Sequence, residues 1–97
     1  METIIMPEET VEKRFTIRNK LGLHARAASL FVQIAVRFAS DIVVEKNGQQ
    51  VNGKSIMGIL ILAAAKGTHI LIRASGQDAQ VAITSLGELV DNGFGED

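Results

Sequence analysis

Three stretches of the chain have the hydrophobic pattern or the β-branched content of strands in a sheet. In residues 11–19 (VEKRFTIRN), apolar and polar positions alternate except for one lysine, which is the period-2 pattern of a half-buried strand. Residues 41–52 (DIVVEKNGQQVN) contain two β-rich runs around Asn47 and Gly48, a dipeptide that suits the positive-φ positions of a type I′ hairpin turn. Residues 68–75 (THILIRAS) are β-branched and predict a fourth strand.

Three other stretches have the period of a helix. Apolar residues recur every three or four positions in residues 25–38, which predicts an amphipathic helix. A short and mostly apolar helix is expected over residues 56–65, with Ser55 capping its free amides and Gly67 providing a left-handed C-terminal stop. A third helical pattern covers residues 79–90.

The order of these elements predicts an α+β fold, in which three helices pack on one face of a four-stranded, mainly antiparallel sheet. The chain of 97 residues is long enough for one two-layer core. We expect a single domain over residues 11–92, a flexible N-terminal extension at residues 1–10 and a C-terminal tail at residues 93–97.

Composition and charge exclude several classes of function. The net charge is −1, so the chain lacks the basic excess that nucleic-acid binding needs. There is no cysteine, and the two histidines are far apart in sequence, so neither a metal site nor a cofactor is expected. The N-terminus lacks the basic segment of a signal peptide, and the apolar run of residues 56–65 is too short to cross a bilayer. These features predict a cytoplasmic protein without membrane insertion.

The candidate chemistry lies in residues 22–29 (GLHARAAS), which place His24 and Arg26 at the start of the first helix. The first amides of a helix lack intrahelical acceptors and attract anions, and a nearby guanidinium suits a phosphate. No carboxylate in the neighbouring sequence would act as a general base, which favours a group transferred between proteins. Alternatively, His24 is a solvated N-cap and Arg26 a surface cation, and the spacing alone does not decide. His69, on a predicted strand, has no expected partner.

Ser55 has two possible roles. It is either only the N-cap of the second helix or also a phosphorylation site, because a phosphate there would gain the helix amides. Ile56 and Met57 cannot both point into the core from one first turn, so at least one is expected to stay exposed. Together with Leu30 on the outer face of the first helix, they predict a small apolar surface for a partner.

Three segments together resemble one protein family. Residues 19–29 (NKLGLHARAAS), 47–62 (NGQQVNGKSIMGILIL) and 65–76 (AKGTHILIRASG) are similar to HPr, the histidine-containing phosphocarrier of the bacterial phosphoenolpyruvate-dependent phosphotransferase system. The resemblance extends in order from about residue 11 to residue 90. It implies an open-faced β-sandwich, with four antiparallel strands and three helices on one side.

The resemblance also implies roles for individual residues. His24 would accept a phosphoryl group on Nδ1 from enzyme I and pass it to a IIA domain, and Arg26 would assist as the phosphate-associated arginine. Ser55 would be the regulatory serine, a target of HPr kinase/phosphorylase. The protein would be a monomeric phosphoryl carrier that turns over no small molecule of its own. The surface that docks donor and acceptor would contain Ala25, Leu30, Gln33, Ile56 and Met57.

Two departures from the family pattern affect the backbone. The family usually has proline where this chain has Ala27, so the start of the first helix is expected to be less rigid. A family glycine in the second helix is replaced by Ala63, for which little effect is expected.

Other functions remain open at this point. The protein could serve a regulatory or nitrogen-related phosphorelay without sugar transport. It could also be an interaction module in which only Ser55 is modified, or a small-molecule-binding or hydrolytic α+β domain of the acylphosphatase type, in which Ser55 would have no role.

Overall fold

All four predicted strands pair in one antiparallel sheet in the computed structural model of the protein, which describes residues 9–96. The strand order is β1-β4-β2-β3. Within residues 9–96, no helix has the length and apolarity to span a membrane. In chain order the elements are β1 (Thr10–Thr16), α1 (Ala25–Ala35), β2 (Asp41–Lys46), β3 (Gln49–Asn52), α2 (Ile56–Ile61), β4 (His69–Ser75) and α3 (Ala79–Asp91), followed by a 3₁₀ turn at Gly93–Gly95.

One face of the sheet is buried under the helices. Alternate residues of the two central strands, such as Val44 and Ile72, are inaccessible to solvent, and Phe31 of α1 is buried in the same hydrophobic core. On the opposite, open face the side chains are mainly polar, and Arg73 Nε donates to a carboxylate oxygen of Glu12 at 2.9 Å. Alternation with period 2 on the strands therefore produced the predicted α+β fold, an open-faced sandwich with three helices on one side.

Lys13, which interrupts the apolar pattern of β1, remains exposed because β1 lies at the edge of the sheet. Its ammonium lies 5.4 Å from the centroid of the Phe15 ring, within the range of a cation–π contact. An edge strand tolerates such a charge and is protected by it against pairing with other chains.

The predicted hairpin between β2 and β3 is confirmed. Asn47 and Gly48 have φ angles of 50° and 83°, the left-handed pair that a type I′ turn requires. Lys46 pairs with Gln49 across this two-residue turn. Asparagine and glycine adopt such angles with little strain, so local sequence decided this turn.

The second helix ends earlier than predicted, at Ile61 instead of residue 65. The residue that leaves the helical conformation is Ala63, with a φ angle of 48°, and not Gly67. The interpretation of Ala63 as a helical residue was therefore wrong. Tertiary contacts stop the helix, since the Lys46 ammonium donates to the carbonyl oxygen of Leu62 at 3.0 Å.

Gly67 has a different role from the predicted helix stop. Its φ angle of 88° lies in a separate turn that leads into β4, and its N–H donates to the carbonyl oxygen of Ile17 at 2.7 Å. This bond ties the chain before β4 to the end of β1.

Both ends of the predicted domain extend further than residues 11–92. Thr10 belongs to β1, and Gly76 N–H donates to the carbonyl oxygen of Glu9 at 2.8 Å. Residues 93–96 were expected as a tail, but Phe94 is 1% exposed and packs in the core. The remainder of the expected N-terminal extension and residue 97 lie outside the described residues.

Candidate functional site

His24 lies at the N-cap of α1, as the sequence predicted, at the end of a tightly fixed loop. Gly22 has a φ angle of 66°, and a Cβ atom there would collide with the carbonyl oxygen of Ala64. The same carbonyl accepts a hydrogen bond from Leu23 N–H at 2.9 Å, and Asn19 Nδ2 donates to the carbonyl oxygen of Gly22 at 2.7 Å. These contacts fix the backbone that carries His24.

The start of α1 presents backbone donors beside His24. The first helical bond runs from Ala28 N–H to the carbonyl oxygen of His24 at 2.8 Å, so the amides of residues 25–27 precede the first intrahelical acceptor. The first turn of the helix, all within the described chain, contains no acidic residue, and the His24 side chain makes no capping bond there. This geometry suits an anion at the helix start.

A carboxylate from the end of the chain also reaches this site. One oxygen of Glu96 lies 2.5 Å from His24 Nε2 and accepts a hydrogen bond from Arg26 at 2.8 Å. The other oxygen accepts a hydrogen bond from Asn19 Nδ2 at 3.0 Å. Hydrogen bonds from Asn19, His24 and Arg26 hold the pKa of the Glu96 carboxyl below its usual value, against the opposing effect of desolvation.

Arg26 is close to His24 but is directed towards the end of the chain. Besides its bond to Glu96, its guanidinium donates to the carbonyl oxygen of Phe94 at 3.2 Å. The Arg26 side chain is 57% exposed, so these bonds contribute little stability and the guanidinium can exchange them for a bound anion.

Glu96 and Asn19 were not among the residues predicted for the site. Glu96 lies 72 residues after His24, in a segment that was expected to be a tail. The neighbouring sequence contains no carboxylate, but the fold brings the carboxylate of Glu96 to His24. Asn19 was interpreted only as a strand end, yet it is 1% exposed. A buried asparagine beside a glycine turn is the one local feature that could have indicated a polar network.

Ser55 is the N-cap of α2, as predicted. Its Oγ accepts a hydrogen bond from Gly58 N–H at 3.0 Å, and its own N–H donates to the carbonyl oxygen of Asn52 at 3.1 Å. The residue is half-buried, so its hydroxyl remains partly accessible. The capping role is therefore present in the structure, and a modification at the same hydroxyl would have to replace this bond.

The residues assigned to a partner surface lie on two helices, α1 and α2, which contact each other. Ile56 and Met57 are both exposed, at 44% and 72%, which confirms that the first turn of α2 does not bury both. Leu30 differs from the expectation of an exposed residue, because it is half-buried and packs against the core. Ala25 and Gln33 on α1 are exposed.

Two further features lie away from His24. Nδ1 of His69 is 3.0 Å from the Thr16 hydroxyl on the open face of the sheet, a contact between neighbouring strands. A depression of about 430 Å³ is lined by residues of β2 and β3 and by Lys54, and His24 is not among its lining residues. Neither feature adds a group to the His24 site.

Comparison with known proteins gives a consistent result. The sequence model of the family described as "PTS HPr component phosphorylation site" matches residues 11–92. The chain is 49% identical over 86 residues to a phosphocarrier protein HPr of Neisseria meningitidis, covering 89% of this chain and 97% of that protein.

Solved structures agree with these sequence matches. HPr-C-His from Thermoanaerobacter tengcongensis has a TM-score of 0.87 at 47% identity, covering 90% of this chain and 98% of that one. Crh, described as a catabolite repression protein of Bacillus subtilis that forms a swapped dimer, has a TM-score of 0.70 at 46% identity, covering 86% and 95%.

Proposed function

Because the chain belongs to the HPr family of phosphotransferase-system phosphocarriers, we propose that His24 accepts a phosphoryl group from enzyme I and passes it to a IIA domain. The observation that carries this proposal is the position of His24 at the N-cap of α1, next to free helix amides and Arg26. The expected attachment atom is Nδ1, since Nε2 already contacts Glu96.

The chemistry of transfer requires stabilisation of the phosphoryl oxygens on both sides of the reaction. The amides of residues 25 and 26 supply preorganised donors at no cost of rearrangement, and the Arg26 guanidinium supplies a mobile charge. The His24 side chain is 29% exposed, which lets a second protein bring its own reacting group to the ring. A site of this kind handles a group transferred between proteins and needs no enclosed pocket.

The proposed docking surface for enzyme I and IIA domains surrounds this site. It consists of Ala25, Leu30 and Gln33 on α1 and of Ile56 and Met57 on α2. The exposed methionine and isoleucine provide adaptable apolar contact area for more than one partner. The half-buried Leu30 would contribute its exposed edge. We expect the protein to be a monomer when it docks, and light scattering in solution would test this.

The decisive experiment is incubation with phosphoenolpyruvate and enzyme I, followed by intact-mass measurement. We expect the addition of one phosphate that is labile in acid and stable in alkali, as an N–P bond requires. His24→Ala should abolish the addition. The matched control is His69→Ala, which removes the other histidine and should be labelled like the wild type. If the His24 variant is still labelled, or the wild type is not, the assignment is wrong.

Regulation at Ser55 is the finer part of the proposal. A phosphate added there by HPr kinase/phosphorylase would place negative charge beside Ile56 and Met57 and hinder docking of enzyme I. Ser55→Asp should raise the apparent KM for the protein as a substrate of enzyme I. Gln80→Glu adds one negative charge on the exposed surface of α3 and should leave KM unchanged. If both variants behave like the wild type, Ser55 is only a helix cap.

A second candidate function is a regulatory module in which Ser55 is modified and His24 is not used. The similarity to Crh, whose name refers to catabolite repression, favours this candidate. A regulatory or nitrogen-related relay would instead keep the His24 chemistry and change the acceptor. Phosphorylation by ATP and the kinase without labelling by enzyme I would support the regulatory module, whereas His24 labelling would exclude it.

A further inference from the structure

We propose that Glu96 is a positioning residue for His24, which holds the imidazole with its proton on Nε2 and leaves Nδ1 as the free nucleophile. This inference rests on the proposed function of His24 as phosphoryl acceptor. It assigns a task to a residue near the end of the chain that no motif indicates.

The Glu96 carboxylate is fixed on several sides. Its Oε2 lies 2.5 Å from Nε2 of His24 and also accepts a hydrogen bond from Arg26, while its Oε1 accepts one from Asn19. Asn19 is itself 1% exposed and is held by the carbonyl oxygen of Gly22, in the loop that carries His24. The same asparagine therefore links the two partners of the His24–Glu96 contact.

The backbone around Phe94 places Glu96 in this position. Gly93, Phe94 and Gly95 have successive φ angles of 61°, 57° and 71°, which turn the chain sharply after α3. Phe94 adopts this left-handed conformation although it is not a glycine, and its ring is buried in the core. A strained residue that is held by its surroundings is a common feature of functional sites.

The carboxylate decides which ring nitrogen is available for reaction. A neutral imidazole carries its proton on one nitrogen, and a hydrogen bond from that nitrogen to a carboxylate fixes the tautomer and the orientation of the ring. With the proton on Nε2, the lone pair of Nδ1 is free to attack phosphorus.

During transfer the N–P bond to His24 forms, and the bond between phosphorus and the phosphoryl-carrying atom of the donor protein breaks. The electron pair of the broken bond returns to that donor atom. The His24 ring becomes positively charged while its Nε2 proton stays in place. The negative carboxylate of Glu96 stabilises this charge, as a buried acid does for a catalytic histidine. Glu96 itself gains no proton and touches no phosphoryl oxygen in this step.

Three variants test this role. Glu96→Ala removes the acceptor, and Glu96→Gln keeps an acceptor of the same size without the charge. Glu88→Gln, which removes a carboxylate from the exposed surface of α3, is the matched control. Thermal denaturation of each variant checks that the domain still folds.

The first measurement reports the tautomer without any partner protein. Two-bond ¹H–¹⁵N correlation spectra at alkaline pH give the ratio of the Nε2–H to the Nδ1–H form of His24. We expect this ratio to exceed about ten in the wild type and in Glu88→Gln, and to fall several-fold in Glu96→Ala, because the acceptor that selects Nε2–H is lost. An unchanged ratio in Glu96→Ala would refute the proposal.

The second measurement is the rate of phosphorylation by enzyme I and phosphoenolpyruvate at saturating carrier. Glu96→Ala should be slower by roughly tenfold and Glu96→Gln by less, while Glu88→Gln should match the wild type. If the wild type is labelled on His24 and both Glu96 variants react at its rate, Glu96 only anchors the chain end and the proposal fails. Lack of labelling of the wild type would overturn the proposed function instead, and the tautomer ratio would still judge the His24–Glu96 contact.

Discussion

Replacing Ala63 by glycine should stabilise the fold, because Ala63 holds a left-handed backbone conformation with a φ angle of 48°. The residue follows the last turn of α2, where its N–H donates to the carbonyl oxygen of Leu60 at 3.0 Å. Its side chain is exposed, so removing the methyl group costs little packing. The backbone bonds of this turn do not depend on the side chain and would be kept.

The magnitude follows from two opposing effects. An L-residue other than glycine in this conformation costs about 1–2 kcal/mol, through the approach of Cβ to the backbone carbonyl. Glycine removes that strain but gives the unfolded chain more freedom, which costs about 0.4–1 kcal/mol. The net expected gain is about 0.5–1 kcal/mol in the free energy of unfolding, or a rise of roughly 2–8 °C in melting temperature for a domain of this size.

Thermal and urea denaturation of Ala63→Gly and Ala65→Gly would check this value. Ala65 is exposed, lies two residues further along and is not among the residues with positive φ, so the same change there should destabilise through the unfolded chain alone. The two variants should thus shift stability in opposite directions. Equal losses in both would show that Ala63 carries no backbone strain and would refute the reasoning.

Four further outcomes are expected. Arg26→Ala should hardly change the melting temperature but should slow phosphoryl transfer from enzyme I roughly tenfold, since the exposed guanidinium acts on the phosphoryl group and contributes little to folding. Equal transfer rates in the variant and the wild type would contradict this role. Ser55→Ala should lower stability by about 0.5–2 kcal/mol in urea titrations, through loss of the α2 cap, with transfer nearly normal. Ala27→Pro should raise stability by about 0.4–1 kcal/mol and should speed phosphorylation, because the Ala27 N–H that proline removes precedes the first intrahelical acceptor. A lower melting temperature would mean that the fold needs this N–H, or the space around the Cβ atom of the buried Ala27. Asp78→Asn should destabilise at neutral pH and lose that deficit in acid. Hydrogen bonds from the Ser40 hydroxyl and the Ala39 amide lower the pKa of Asp78 in the folded state. The contribution of Asp78 to stability is therefore present at pH values above the usual aspartate range and disappears as the pH falls through the pKa of the folded state. Melting curves in which the variant keeps a constant deficit down to acid pH would exclude this role of Asp78.

The sequence by itself determined those features that depend on neighbours within a few positions. Alternation of apolar residues fixed the strands and their buried face, and Asn47-Gly48 fixed the hairpin, since few other residues tolerate its backbone angles. Ser55 as a helix cap and His24 at the start of α1 followed in the same way, because capping involves only the next two or three amides. The predicted role of His24 came from the family resemblance, which required three separate segments.

Only the tertiary structure decided where α2 ends and what surrounds His24. The apolar pattern continues to residue 65, but Lys46 and Leu23 bind carbonyl oxygens beyond Ile61 and turn the chain there. The carboxylate of Glu96 reaches His24 across 72 residues of sequence, because the left-handed turn around the buried Phe94 folds the chain end back. Contacts of this kind depend on how whole elements pack, and a local pattern of hydrophobic and polar residues contains no information about them.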